Sequence, residues 1–316
     1  MYFPYLRGRQ YELLALRELA TNNLLGDFVV PVIEPVKLSP TLIKTIAEYA
    51  RMKHSVAVIR NPVVGSFMKD LKDAEEDSKE GANKKEFHQL YDDGVIIKSI
   101  IMQKNATSLL EHWSKSGVQK KDLLVINISR DFLDFYEKQF DGANPCYVLI
   151  PDESAFRRKV KRNRVILDDK FEKQSRNADY QDAEDEFFSD DHLYFAEDGL
   201  KGFSDYSVTG SDYQEAGFAP FAVAIHIVYF AADKSLRIKH FVSESNADIS
   251  NPAKKFYEAV TKLNTWYQTN PFPPTLGLQT LIEHYNNQTY PGLGTVKKLS
   301  VMHHLELMGK YLSGGK

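Results

Sequence analysis

Polar side chains that could do chemistry follow the apolar runs that this sequence repeats. Functional groups gather where the strands of a parallel barrel end, so side chains in these positions are expected to share one site. Two carboxylates in different environments can divide the general acid and general base roles of a hydrolase, and several carboxylate oxygens can hold Mg²⁺. The sequence therefore predicts a ligand site or a phosphate-sized site lined by Arg7, Glu34, Arg60, Asn61, Gln103, Asn127, Asp152, Asp168 and Asp205.

Ordinary structural roles also explain these polar residues. Asn and Asp side chains cap helices, and opposite charges at neighbouring strand ends can form internal ion pairs. The predicted pairs are Arg7–Glu34 and Arg60–Asp168. The residues alone leave both interpretations open, and both place Glu34, Arg60, Asp152 and Asp168 in one cavity at the barrel mouth.

Nucleophilic and zinc-dependent catalysis find little support in the residue types. The single cysteine, Cys146, opens an apolar run, where a buried and unreactive thiol is expected. His226 and His240 are the only histidines on strand-like runs, whereas zinc needs three or four ligands. Neither a G-x-S-x-G motif nor a G-x-x-x-x-G-K-[ST] motif occurs. We therefore expect no metal and no cofactor.

A parallel sheet must position these side chains, and the sequence predicts one. Short, β-branched apolar runs alternate with helical patterns, which is typical of parallel strands covered on both faces. The seven predicted strands are Tyr2–Leu6, Val29–Glu34, Ser55–Ile59, Ile97–Met102, Leu123–Ile128, Cys146–Ile150 and Val165–Leu167.

Two segments could supply the eighth strand that a closed barrel requires. One is Phe203–Val208 and the other is Ala222–Phe230. The second segment also predicts a hairpin with Leu236–Val242, because a short polar turn separates the two runs. The pattern does not decide between them. The expected fold is α/β, a (β/α)8 TIM-barrel-like architecture.

Charge and length divide the chain into regions. Residues 1–250 are expected to form the barrel, with an acidic insertion at 170–200 that elaborates the connection before the last strand. Residues 251–316 are expected to form a C-terminal helical extension packed on the barrel. The highly charged residues 69–85 are expected to form a solvated loop or a frayed helix.

Two charged clusters could recognise a partner. A basic run spans Arg157–Arg164, and an acidic stretch with interspersed aromatic residues spans 179–198. The two could neutralise each other, could be solvated faces, or could meet a charged partner protein. The basic run could also bind nucleic acid. The candidate partner-binding residues are Asp185, Glu186, Phe187, Phe188, Asp190 and Asp191.

Composition bounds the class of protein. The chain has 316 residues, 43% of them hydrophobic, and a net charge of −3, so it can bury a large core but has no global positive field for nucleic acid. No apolar run approaches the ~20 residues of a membrane helix, and the first residues do not match a signal peptide. With one cysteine, a cytoplasmic location and no membrane contact are expected.

The first residues resemble a known family. The pattern comprises Tyr2, Pro4 and Leu6, a basic residue, then Glu12, Ala15, Leu16, Leu19, Pro31, Ile33 and Glu34. It is similar to the opening of the Beta protein family of phages and bacteria over roughly the first sixty residues. The resemblance returns at residues 202–206 and 222–230. It implies a shared fold and an immunity role, in which the chain neutralises or assists a toxin-like or nuclease-like protein encoded nearby.

Overall fold

The computed structural model describes residues 1–214 and 220–314. Its strands are β1 (Tyr5–Leu6), β2 (Val32–Ile33), β3 (Val56–Ile59), β4 (Ile96–Ile101), β5 (Leu124–Ile126), β6 (Tyr147–Ile150), β7 (Arg164–Asp168), β8 (Asp185–Ser189), β9 (Gly202–Asp205), β10 (Ala224–Phe230) and β11 (Leu236–Val242). Its helices are α1 (Gln10–Thr21), α2 (Pro40–Met52), α3 (Phe67–Asp73), α4 (Lys79–Tyr91), α5 (Ala106–Lys115), α6 (Leu133–Gln139), α7 (Ser154–Lys159), α8 (Asp191–Tyr194), α9 (Pro252–Thr269), α10 (Leu276–Asn286) and α11 (Leu293–Leu312).

Eight parallel strands form the barrel, and the seven strands predicted from the sequence are all neighbours in it. The order is β1 to β7 followed by β9, so every strand lies beside the previous barrel strand. This order follows from helical crossovers, which join parallel strands in sequence. The predicted TIM-barrel-like fold is confirmed.

The eighth strand comes from the first of the two candidate segments. β9 pairs with β7, and a parallel bridge from Tyr2 to Phe203 closes the sheet. The amide of Phe3 donates to the carbonyl of Phe203 at 2.9 Å across this seam. Gly202 permits the closure, because a Cβ there would lie 2.3 Å from the carbonyl oxygen of Met1. The segment Ala222–Phe230 therefore does not close the barrel.

A second sheet stands beside the barrel. β10 and β11 form the predicted hairpin, and β8, from the acidic insertion, pairs antiparallel with β11. The largely buried helix α11 packs against α1 and β10, and so fills the place that follows β9 in the ring of helices. On the other face of this second sheet, Trp266 of α9 contacts the rings of Tyr229 and Phe241.

The charged residues 69–85 are more ordered than expected. They lie in α3, the turn after it and the start of α4, so the helical alternative holds over most of the segment and the expectation of a loop is wrong there. The helices are anchored by apolar residues flanking the charged segment, since Phe67 and Phe87 are fully buried with ring centroids 5.2 Å apart. Tertiary packing overrides weak local amphipathicity here. In the described part of the chain, every helix is too short or too polar to cross a bilayer.

Candidate functional site

Glu34 is the centre of the barrel mouth. Its side chain is 0% exposed and forms the predicted ion pair with Arg7. The hydroxyl of Tyr5 donates to Oε2 at 2.7 Å, and the backbone amide of Val63 donates to Oε1 at 2.8 Å. The end of β1, the end of β2 and the loop after β3 therefore meet at this carboxylate.

Arg7 is equally constrained. Its Nη2 donates to the carbonyl of Ser211 at 2.7 Å, and its guanidinium lies 5.5 Å from the ring centroids of Tyr5 and Tyr206. Burial, reinforced by the nearby charge of Glu34, holds the pKa of Tyr5 well above its ordinary value. A carboxylate matched by a cation and two neutral donors is poorly suited to accept a substrate proton. The cluster fits a structural ion pair.

Asn61 and Gln103 join β3 to β4. The Asn61 side chain donates to the carbonyl of Ile101 at 2.8 Å and accepts from its amide at 2.9 Å. Gln103 donates to the backbone oxygen of Asn61 at 2.6 Å. Asn127 is fully buried, and its amide group makes no hydrogen bond with residues 1–214 or 220–314. The first two side chains extend the sheet hydrogen bonding beyond the strand ends.

The nine predicted mouth residues do not all face the mouth. Side chains alternate across a strand, so residues one position apart point to opposite faces. Arg60 contacts Sδ of Met68 on α3 at 3.7 Å, and Asp168 pairs with Lys170 at 2.9 Å. The predicted Arg60–Asp168 pair is therefore wrong. The prediction failed because it treated every strand-end residue as pointing into the barrel.

Asp152 and Asp168 line a cavity of about 380 Å³ on the helix side of β7. Arg164 and Ile166 line it too, as the alternation along β7 requires. Lys170 bridges Asp168 to Asp191, at 2.9 and 3.0 Å, and Asp152 pairs with Arg157. Glu34 and Arg60 do not line this cavity, so the four residues expected to share one cavity are divided.

Asp205 also lies behind the barrel wall. Its Oδ1 accepts from the hydroxyl of Tyr2 and from the amide of Ser207, each at 2.7 Å. The Ser207 hydroxyl is 2.9 Å from Nδ1 of His304 on α11. Burial raises the pKa of Asp205 to about 7 despite these donors, and burial lowers the pKa of His304 to about 3. This buried polar cluster ties the closing strand to α11.

Replacing Asp205 with Asn is expected to change the pH dependence of stability. Because burial raises the folded-state pKa of Asp205 from 3.8 to about 7, its protonated form stabilises the fold below about pH 4. That contribution is lost as the pH rises through about 7. Asp205→Asn keeps the acceptor for Tyr2 without titrating. Urea unfolding from pH 4 to pH 8 should show the variant gaining stability relative to the native chain.

Comparing the Asp205→Asn variant with the native chain removes the opposing effect that two buried histidines have on the pH dependence of stability. Burial lowers the pKa of His303 to about 4 and of His304 to about 3, so their contributions are lost as the pH falls below their ordinary 6.5. Both histidines are present in the variant and in the native chain, so their contributions largely cancel in the difference in stability between the two. A stability difference that is constant across this pH range would contradict the titration of Asp205.

The acidic stretch is tied mainly to β11 and Lys170 rather than to the basic run. Asp185 contacts Nε of Arg237 at 2.6 Å and the hydroxyl of Tyr229 at 2.7 Å. Asp191 pairs with Lys170 at 3.0 Å. The basic run finds other partners, since Lys159 contacts Asp134 and Glu137 and Arg157 contacts Asp152. The ion pairs therefore do not show the acidic stretch and the basic run neutralising each other.

The two phenylalanines of the acidic stretch have opposite environments. Phe188 is 2% exposed and its ring lies 5.1 Å from that of His304, whereas Phe187 is 55% exposed. A register shift in the pairing of β8 with β11 leaves Phe188 as the extra residue on β8. The bulge separates the buried ring from the exposed one. Asp190 is partly buried beside α8 and lines the 380 Å³ cavity.

A partly buried histidine pair was not recognised from the sequence. His226 and His240 are directly paired across the hairpin, with their Nδ1 atoms 2.6 Å apart, and Nε2 of His240 lies 3.0 Å from Oε2 of Glu186. The hydrogen-bonding groups of this series are satisfied when His240 donates to Glu186 and His226 donates to His240. Hairpin register could have revealed the pair. Among residues 1–214 and 220–314, no group of three His, Cys, Asp or Glu is arranged to hold a metal.

No family model, no curated protein and no solved structure matches this chain. The resemblance of its first residues to the Beta protein family therefore stays a prediction.

Proposed function

We propose that this chain is a cytoplasmic binding protein that acts on a partner protein encoded nearby, in an immunity or phage-defence role. The family resemblance of the first residues is what suggests this role. The scattered carboxylates support binding over hydrolysis, because Glu34 is neutralised in the mouth while Asp168 and Asp205 lie behind the wall. Two carboxylates flanking one substrate position are what a carboxylate-dependent hydrolase would need.

The unpaired edge of β8 is the observation that carries the proposal. Among the described residues, β8 pairs only with β11, so its other edge has no neighbouring strand. Unpaired backbone groups on an edge strand are a template for a strand from another chain. Phe187, 55% exposed on this strand, supplies an apolar side chain that such a partner could bury. The proposed interface is therefore strand addition at β8, anchored by Phe187.

Charge around β8 favours a basic partner. Asp182 precedes the strand and is exposed, as are Glu197 and Asp198 after α8. Glu184 is exposed too, but it already pairs with Lys239 of β11 at 2.8 Å. Complementary charge of this kind accelerates association more than it strengthens the complex. Asp185 and Glu186 hold β8 to β11 through Arg237 and His240, so their role is to fix the strand rather than to meet the partner.

Co-expression with the products of the adjacent genes tests this proposal. The native chain should capture a neighbouring toxin-like or nuclease-like protein, and Phe187→Ala should weaken the complex about tenfold or more, mainly through faster dissociation. Phe28→Ala is a matched control, because Phe28 is 48% exposed and lies in the loop between α1 and β2, outside the second sheet. It should leave affinity unchanged.

Two results would count against the proposal. Failure of the native chain to bind either neighbouring protein would overturn the partner-binding role. Binding that Phe187→Ala and Phe28→Ala leave equally strong would show that β8 is not the interface. Replacing Asp182, Glu197 and Asp198 with Asn, Gln and Asn should slow association and flatten its dependence on salt.

A further inference from the structure

A histidine pair joins the strand that is proposed to bind a partner to the rest of the second sheet. His226 of β10 and His240 of β11 are opposite each other in the hairpin, and their Nδ1 atoms are 2.6 Å apart. The Nε2 atom of His240 lies 3.0 Å from Oε2 of Glu186 on β8. This hydrogen-bonded series therefore spans all three strands of the sheet.

The contact between the two rings has room for one proton. A neutral imidazole carries one N–H and one bare nitrogen, whereas a charged imidazolium carries an N–H at both positions. At 2.6 Å, one Nδ1 atom must donate and the other must accept. Two neutral rings meet this condition, and so does a pair with a single positive charge. Two charged rings do not, because both Nδ1–H groups would then point at each other.

The surroundings of the pair offer little to balance a second charge. The ring centroids of Phe171 and Tyr180 lie 5.1 and 4.7 Å from that of His226, and burial raises the pKa of Tyr180 and keeps its hydroxyl neutral. The charged groups that face the pair are Asp185 and Glu186 of β8, Glu184 before it, Lys239 of β11, Lys262 of α9 and Lys297 of α11. Two of these three carboxylates already pair with basic side chains of β11. Glu186 is the one that remains for the histidines.

The electrostatics of the site favour neutral rings. Burial lowers the pKa of His240, although the hydrogen bond and the charge of Glu186 act in the opposite direction. Burial also lowers the pKa of His226 to well below its ordinary value, and the charges of His240 and Lys297 add to this effect. Histidines whose pKa is lowered in the fold stabilise it above their ordinary value of 6.5, and this contribution is lost as the pH falls below that value.

We propose that the histidine pair makes the attachment of β8 to β11 sensitive to acid. While both rings are neutral, the series holds β8 in place. Protonation of both rings forces them apart and displaces His240, which carries the hydrogen bond to Glu186. β8 then separates from β11 more often and binds a partner strand less tightly. The effect on a partner rests on the proposed function of β8, whereas the effect on the strand itself does not.

Hydrogen exchange of the full chain without any partner tests the attachment of β8. The amide of Glu186 faces β11, because the amide of His240 donates to the carbonyl of Glu184 at 2.8 Å and alternate residues of an antiparallel pair bond in the same direction. Its protection factor should fall at least about tenfold between about pH 7.5 and about pH 5, since one pKa unit corresponds to a factor of ten. The amide of Met102, which donates to the carbonyl of Ile126 inside the barrel, should fall much less and is the internal reference.

Variants of the histidines identify the group responsible. In His226→Asn, the side-chain amide still donates to Nδ1 of His240 but takes up no proton. A single charge on His240 is then balanced by Glu186, so the fall in Glu186 protection should shrink to about threefold or less. His240→Gln, whose amide nitrogen still donates to Glu186, is the second test if His226→Asn fails to fold. His88→Gln removes an exposed histidine of α4, outside the second sheet, and should leave the pH dependence of β8 unchanged.

Three results would overturn this regulation. Protection of Glu186 that changes no more than that of Met102 would show that the pair does not control β8. A fall of native size in both His226→Asn and His240→Gln would assign the effect to another group, and loss of the effect in His88→Gln would make it a general response to acid. A fall that requires the pair, in a chain that captures no neighbouring protein, would support the regulation and overturn only the partner-binding role.

Discussion

Phe188→Ala is expected to lower the free energy of unfolding by about 3–5 kcal/mol, which is the usual cost of truncating a buried phenylalanine. Phe188 is 2% exposed and packs edge-on against His304 of α11, so its loss leaves a cavity between the second sheet and that helix. Phe187→Ala, one residue earlier on the same strand, should change stability by no more than about 0.5 kcal/mol. Urea unfolding monitored by circular dichroism measures both.

The pair of variants separates stability from recognition. If β8 is an ordered strand as described, Phe188→Ala also exposes the amides of residues 185–189 to faster hydrogen exchange. Equal and small stability losses for the two variants would mean that the acidic stretch is not packed against α11 in the isolated chain. The amides of β8 that face β11 should be protected in the free protein, because this strand pairing needs no partner, whereas those on the unpaired edge should exchange faster.

Glu34→Gln is expected to cost about 3–5 kcal/mol, because it leaves the charge of Arg7 buried without a counter-charge. The glutamine can still accept from the amide of Val63, which bonds Oε1 of Glu34 at 2.8 Å. Its amide nitrogen, however, would meet donors from Tyr5 and Arg7 instead of offering them an acceptor. Thermal and urea unfolding of the variant measure the loss.

A surface ion pair provides the control for Glu34→Gln. Glu153 pairs with Arg130, and their side chains are 41% and 71% exposed, so Glu153→Gln should cost no more than about 1 kcal/mol. If Glu34→Gln is instead as stable as the native chain while partner binding is lost, the mouth is a working site and not a structural pair. Severe destabilisation with binding retained in the folded fraction would support the structural role.

The strands and their order were predictable from the sequence. Apolar, β-branched runs such as Ser55–Ile59 and Val165–Leu167 are recognisable because both faces of a parallel strand are buried. The Arg7–Glu34 pair was predictable as well, since both residues follow adjacent strands at the same end of the sheet. Local composition is sufficient to predict a strand when both of its faces are buried. It is sufficient to predict a contact when successive strands in the sequence are also neighbours in the sheet.

Only the tertiary structure decided which polar groups meet. The strand-end residues Arg60 and Asp205 contact the helix side because strand geometry turns alternate side chains away from the axis. β8 forms from an acidic segment because β11 supplies its hydrogen bonds and basic partners, a long-range effect that no local pattern encodes. Arg9 and Lys297 line one cavity from opposite ends of the chain, because α11 packs against α1 where the barrel closes.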